Sequence, residues 1–204
     1  NNVSGAVEFQ KRALALGIKP IQGAEITTED ETHLTLLAES TEGYQALCRL
    51  ITAGYAHGSR YKCLVPWQAL RENARQLIVL SGCHRSGIAQ AILRKNYSQA
   101  KAEAIRLVEI FGKSQVYLEM VNSYLPFTKR LLIGLFKLHK KLRIPLVATN
   151  NVHYLHKKNF PIHDLLVCTR TKTKLRELHP ERPFNGENYL TSAEEMKERF
   201  AAFP

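Results

Sequence analysis

Glutamate, histidine and cysteine stand at the ends of short apolar runs in this 204-residue sequence, and these are side chains that hold metal ions. IQGAEI carries Glu25 just after Gly23, and HLTLLAE opens on His33. QLIVLSGCHR ends on Cys83 and His84, and IPLVATNNVHY ends on Asn150, Asn151 and His153. Imidazole and thiolate suit zinc or iron, and a carboxylate widens the choice towards manganese. Taken singly, each residue has a structural use: Glu25 as a salt-bridged surface acid, Cys83 as an inert thiol, His33 and His153 as hydrogen-bonded core residues. Their coincidence at the ends of four separate runs points to a shared site, because loops at the carboxyl ends of parallel strands converge on one face. Asp164, beside His163, reads either as a second-layer support for a ligand or as a polar pair at a helix N-terminus.

The elements that must position these residues follow from periodicity. Strands are expected at 19–26 (KPIQGAEI), 33–39 (HLTLLAE), 76–82 (QLIVLSG), 115–120 (QVYLEM) and 144–150 (IPLVATN), each short, apolar and β-branched. Between them lie segments of helical period. Residues 41–54 begin on a Thr41 cap and place Tyr44, Leu47, Leu50 and Ile51 on one face. Residues 98–111 begin on Ser98, turn Ile105, Val108 and Phe111 inward and stop at Gly112. Residues 127–142 repeat the pattern with basic residues outward, and SAEEMKERF carries a Ser192/Glu195 capping box. Strands separated by helices predict an α/β domain with a mostly parallel sheet, and near-continuous apolar strands predict that both faces are covered, as in a barrel or a doubly wound sheet. From about Leu178 the tail reads as loop, with HPERPF and NGENY as turn signals.

Composition excludes several classes. No run reaches the roughly 18 apolar residues of a membrane-spanning helix, and no secretory leader opens the chain, so the cytoplasm is the expected compartment and no membrane partner is expected. The four cysteines (Cys48, Cys63, Cys83, Cys168) form no CxxC pair, which speaks against a disulfide framework or a zinc ribbon. GxGxxG, GxxxxGK[ST] and GxSxG are absent, which removes dinucleotide cradling, a P-loop and a nucleophile elbow. Net charge is +11 and unevenly placed: between Val121 and Arg176, twelve Lys or Arg face a single acid, Asp164. Such a field attracts polyanions, DNA foremost, and Lys137, Lys140, Lys141, Lys157 and Lys158 are the candidate contacts; a solvated helix face is the alternative. The chain opens at Asn1 without a methionine, and NNVSGAVEFQKRALALG reads as a loop running into an amphipathic helix, so an upstream segment is expected.

The ordered series IKPIQGAE, HLTLLAE with EGYQALCRLI, LIVLSGC, EIFG then YLE, IPLVATNNVHY, HDLL, and YLTSAEEM with Phe200 resembles the PHP (polymerase and histidinol phosphatase) domain of bacterial DNA polymerase III alpha subunits. TNNVHY and SGCHRSGIA are more similar to the error-prone type. The resemblance implies a distorted (β/α)7 barrel with a trinuclear metal centre, here missing its first strand or strands. It implies that Glu25, His33, Cys83, His153 and Asn151 are metal-ligand positions for zinc, manganese or iron. Residues 1–178 would be the PHP domain and 179–204 the lead-in to a polymerase palm, whose carboxylates would use magnesium. DNA and other replication or mutagenesis proteins would be partners of the parent chain. Two departures matter: the family's His-x-His strand and acid-His pair are absent, and Asn151 stands where many members have aspartate. The isolated chain is therefore expected to bind metal weakly and to be inactive. The alternatives are a free-standing metal-dependent phosphoesterase of the same family and a non-catalytic scaffold with a decayed site.

Overall fold

The computed structural model describes residues 1–59 and 61–203. The fold is α/β, and its contacts divide it into two compact units. The first holds residues 1–119 and 133–147; the second holds 120–132 and the chain from 148 onward. Five strands lie in one open sheet in sequence order: β1 (Gly23–Thr27), β2 (His33–Ala38), β3 (Leu77–Leu80), β4 (Val116–Val121) and β5 (Leu146–Thr149). Each lies within or beside a run expected from the sequence.

Strand direction departs from the mostly parallel expectation. β3 and β4 are parallel, but β1 pairs antiparallel with β2, and β2 antiparallel with β3. Only residues 28–32 join β1 to β2, too few for the crossover a parallel pair needs. Between β2 and β3 the chain makes two helices rather than one, α2 (Thr41–His57) and α3 (Trp67–Glu72).

Register sorts the first unit's strand residues onto two faces. Ala24 is opposite Leu36, Ile26 opposite Leu34, Leu36 opposite Val79 and Val79 opposite Val116; all are buried. α2 packs against β1 and β2, and its first turn comes so close that a Cβ on Gly43 would lie 2.2 Å from the Gln76 carbonyl oxygen. The other face carries Glu25 opposite Thr35, Thr27 opposite His33, and Leu80 opposite Tyr117, and is less deeply covered at Glu25, Thr35 and Tyr117. The sheet thus has one face given wholly to the core and one that carries polar side chains.

The remaining helices are α1 (Ala6–Ala15), α4 (Gly87–Leu93), α5 (Tyr97–Phe111), α6 (Thr128–Leu142), α7 (Phe160–Thr171) and α8 (Ala193–Arg199). α3, α4 and α7 were not among the helices expected from the sequence. Ser40, not Thr41, caps α2, because its hydroxyl accepts the Gly43 N–H at 3.3 Å. Asn96, not Ser98, caps α5 by accepting from Gln99 N–H at 3.1 Å, while Ser98 donates to the same Asn96 oxygen at 2.8 Å. The inward stripe of α5 is Ala100, Ala104, Leu107 and Phe111, and Ile105 is exposed. α4 packs close against α5, and alanine lets the helices approach where a larger side chain would hold them apart. The Gly112 C-cap and the Ser192/Glu195 capping box are both present. α6 buries Leu131, Leu132, Leu135 and Leu138 and exposes Lys129, Arg130, Lys137, Lys140 and Lys141, as its periodicity predicts. Among the described residues no helix is long and apolar enough to cross a membrane.

In the second unit, polar ties do much of the ordering. Arg182 grips buried Asp164 through two hydrogen bonds, at 2.8 and 2.6 Å. Buried Arg199 donates to Glu187 at 2.8 Å, and its carbonyl accepts from the Asn122 amide at 2.8 Å. The loop-like tail is therefore fastened at both its middle and its end.

Candidate metal centre

Glu25 and His33 lie on the less covered face of the antiparallel β1–β2 pair, two residues out of register and so diagonal neighbours. Cys83 follows β3 by three residues, at the level where β3 has left the sheet. Gly82 makes that exit. Its φ of +85° is one that L side chains rarely adopt, and a Cβ there would lie 2.4 Å from the His33 carbonyl oxygen. The turn thus brings Cys83 down onto His33.

The three side chains converge on one imidazole nitrogen. His33 Nδ1 lies 3.2 Å from Glu25 Oε1 and 3.5 Å from Cys83 Sγ, and the three donor atoms all lie within 4.8 Å of one another. His33 is buried, Cys83 half-buried and Glu25 exposed, so the cluster is anchored at its base and open at its rim. The His33 hydrogen bond holds the Glu25 carboxyl below the usual range, against the opposing effect of burial, and the charges of His33, the N-terminus and Arg85 pull the same way. Burial pushes the Cys83 thiol up to about 11; the Arg85 N–H, donated to Sγ at 3.5 Å, offsets part of this, while Glu25 and Glu119 add to it. Burial also pushes His84 down, helped by Arg85 and His33. One imidazole, one carboxylate and one thiol within this span are a donor set that suits a divalent ion of zinc or iron type. The ion would have to take the proton from Cys83 on binding.

His153 and Asn151 belong to the second unit and are exposed. The TNNVHY segment is not an extension of a buried strand: β5 ends at Thr149 and is only half-buried. Asn150 spends its amide on the tail, donating to the carbonyls of Glu187 at 3.1 Å and Tyr189 at 2.7 Å. The His153 N–H donates to the Asn188 carbonyl at 2.8 Å, and its ring lies 5.1 Å from that of His163. Of the two readings of Asp164, the structure gives a third: it is the partner of Arg182, whose hydrogen bonds hold its carboxyl below the usual range. All four cysteines are free.

Among the basic candidates, Lys137, Lys140, Lys141 and Lys158 are exposed, and Lys137 lies over the Tyr97 ring at 5.8 Å. Lys157 is paired with Glu187 at 2.5 Å, so its charge is partly spent within the chain. One residue near the cluster went unread in the sequence. Glu119 is buried in β4 on the same face as Glu25 and His33, with its N–H donated to Ser81 Oγ at 2.9 Å. An acid within the otherwise apolar run VYLEMV was the available signal.

The family pattern described as the PHP domain matches residues 1–123, which hold Glu25, His33 and Cys83. The chain is 44% identical, over 220 aligned positions, to an error-prone DNA polymerase of Symbiobacterium thermophilum, an alignment that takes in all of this chain and 20% of that protein. It is 36% identical to a DNA polymerase III subunit alpha of Thermus aquaticus, over 96% of this chain and 17% of that one. With the corresponding subunit of Pseudomonas fluorescens it shares 32%, over all of this chain and 18% of that one. The chain thus spans about a fifth of the length of these curated relatives.

Proposed function

The chain belongs to the PHP domain family, and from that premise we propose that it serves as the PHP domain of an error-prone DNA polymerase of the DNA polymerase III alpha type. The observation that carries this reading is the alignment of the whole chain, at 44% identity, with one part of such a polymerase. Template-directed DNA synthesis in replication and damage tolerance, with magnesium on palm carboxylates, would then belong to regions outside these residues. Residues 1–178 act as the PHP domain and 179–204 as the lead-in to the palm; Pro204 lies outside the described residues.

Within the first unit, Glu25, His33 and Cys83 would hold a divalent zinc, manganese or iron ion; His153 and Asn151 are proposed as further ligand positions on the second unit. A bound ion would supply positive charge for a phosphate oxygen or a water. Glu25 orients His33 through the 3.2 Å contact to Nδ1, a hydrogen bond that an ion bound at Nδ1 would replace, and Gly82 sets the approach of Cys83. Asn151 brings a neutral carbonyl to a position where a carboxylate would bring charge, and Cys83 must lose a strongly held proton. Both lower affinity, so the isolated chain binds metal weakly and turns over no phosphodiester appreciably. The exposed Lys137, Lys140, Lys141 and Lys158 attract DNA or acidic partner surfaces.

The test is the size and sequence of the native product in its source cells. A product several times longer than 204 residues, with a His-x-His strand upstream and acidic polymerase motifs downstream, is expected. A product of 204 residues alone would overturn the reading in favour of a separate phosphoesterase or a scaffold.

A further inference from the structure

In the first unit a cleft of about 470 Å3 opens between the turn after β1, the segment after β3, and helices α4 and α5. Three carboxylates and two guanidinium groups line it, and they are committed very differently. Asp30 accepts from the Trp67 indole N–H at 2.6 Å and from Arg106 at 3.3 Å. Glu103 also faces Arg106, at 3.9 Å, and Glu31 is paired with Lys62. Arg106 is itself held flat over the Trp67 ring at 3.5 Å, so its charge stays where it serves those acids. Arg85 and Arg94, by contrast, are exposed and form no ion pair among the described residues. Arg106 and Lys62, which do not line the cleft, pair with these three acids, so the four cations exceed the acids by one; Arg85 and Arg94 are the two with no acid at ion-pair distance, Arg85 acting on Glu25 and Glu31 only from farther off.

Arg85 is also fixed in place. Its N–H donates to Cys83 Sγ at 3.5 Å and its carbonyl accepts the His33 N–H at 3.4 Å, so the backbone that carries its guanidinium is tied to two residues of the metal centre. Gln99, whose amide oxygen accepts from Asn96 at 3.3 Å, adds a side-chain N–H donor to the cleft wall.

We propose that this cleft is an oxyanion site that takes a phosphate group, gripped by Arg85 and Arg94 with Gln99 as a further donor. Each guanidinium presents a planar fork of donors that matches a pair of oxygens. A phosphate, with three or four oxygens, can meet both forks on separate oxygens, whereas a carboxylate would have to share its two between them. The site stands on the cleft's own side chains and does not require the neighbouring cluster to hold metal.

The experiment titrates inorganic phosphate into the full chain with EDTA present, following the amide and side-chain N–H resonances of Arg85, Arg94 and Gln99. Acetate at matched ionic strength is the control. Saturable shifts with phosphate and none with acetate are expected, with Kd weakened at least tenfold in Arg85→Gln and in Arg94→Gln and less in Arg94→Lys, which keeps the charge and loses the fork. Arg94 caps the C-terminus of α4 and is not on the turn that carries Cys83, so its variants test the site even if Arg85→Gln disturbs the fold. A trinucleotide with and without a 5′-phosphate distinguishes the sources. Preference for the phosphorylated form assigns a terminal phosphate, and equal binding that is lost in Arg94→Gln assigns an internal phosphodiester. Phosphate binding unchanged in both glutamine variants, or acetate binding as well as phosphate, overturns the proposal. Glu25→Ala should leave phosphate binding within twofold of the parent while weakening zinc binding, so failure of the metal centre and failure of this site are read separately.

Discussion

Replacing Cys83 with alanine should remove one proton from the balance of metal binding, and the structure gives the size of the effect. Burial raises the thiol from 9.0 to about 11. At 1.36 kcal/mol per pH unit that rise amounts to about 2.7 kcal/mol, roughly a hundredfold loss of metal affinity relative to an ordinary thiol. At pH 7 only about one chain in ten thousand carries the thiolate, so nearly every binding event must release this proton. The affinity for zinc should therefore gain a factor of about ten per pH unit between pH 6 and 8 from Cys83 alone. Calorimetric titration of zinc in buffers of different ionisation enthalpy counts the protons directly. Protons released from other groups appear in both proteins, so the comparison isolates Cys83: the parent should release one more per ion than Cys83→Ala. Equal release, or a pH slope unchanged by the substitution, would refute the thiolate as a ligand and with it the reasoning from burial.

Gly82→Ala puts a Cβ 2.4 Å from the His33 carbonyl oxygen at φ +85°; urea denaturation should show a loss of about 1–3 kcal/mol, and weaker zinc binding should accompany it. Asp164→Asn breaks the two-fold grip of Arg182. Because the Asp164 carboxyl titrates below its usual 3.8 when folded, its contribution is present above that pH and lost on acidification, so hydrogen exchange across residues 160–182 should quicken at pH 7 and differ less from the parent at pH 3. Neutralising Lys137, Lys140 and Lys141 together should lower the salt slope of duplex DNA binding by about 2.7, measured by fluorescence anisotropy; an unchanged slope removes that helix face from the contact.

The site was legible in the sequence to the extent that its residues sit where a strand pattern breaks. Glu25 interrupts an apolar run, His33 begins one and Cys83 follows one, and each break was visible without coordinates. What could not be read was which breaks share a face. That depends on register, and the five-residue connection between β1 and β2 makes their pairing antiparallel, placing Glu25 and His33 diagonally on one side. Asn150 had the same signature as Asn151 and His153, yet its amide serves the carbonyls of Glu187 and Tyr189, a contact across 39 residues that no local pattern encodes. The stripe of α5 was misread for a related reason: hydrophobicity favours Ile105, whereas close helix packing favours Ala100 and Ala104. Caps went astray by one or two residues because Ser40 and Thr41, or Asn96 and Ser98, are chemically competent alike and only the backbone decides between them.

The two faces of the sheet explain why polar chemistry is affordable on this fold. Ala24, Ile26, Leu34, Leu36, Val79, Val116 and Leu118 bury one face against helices and hold the strands in register without help from the other. A register slip by one residue would send that whole apolar set outward, so the core face fixes the positions of Glu25 and His33 as firmly as if they were packed themselves. The opposite face is then free to carry a half-exposed carboxylate, a buried imidazole and a thiol in contact with it, groups that would weaken a core. Arg85 extends the same logic beyond the strands, since its own N–H and carbonyl are tied to Cys83 Sγ and the His33 N–H, while its guanidinium meets no acid at ion-pair distance among the described residues. Stability and chemistry are carried by alternate residues of the same strands, which is why Gly82→Ala, at the one turn that joins the two, should disturb both at once.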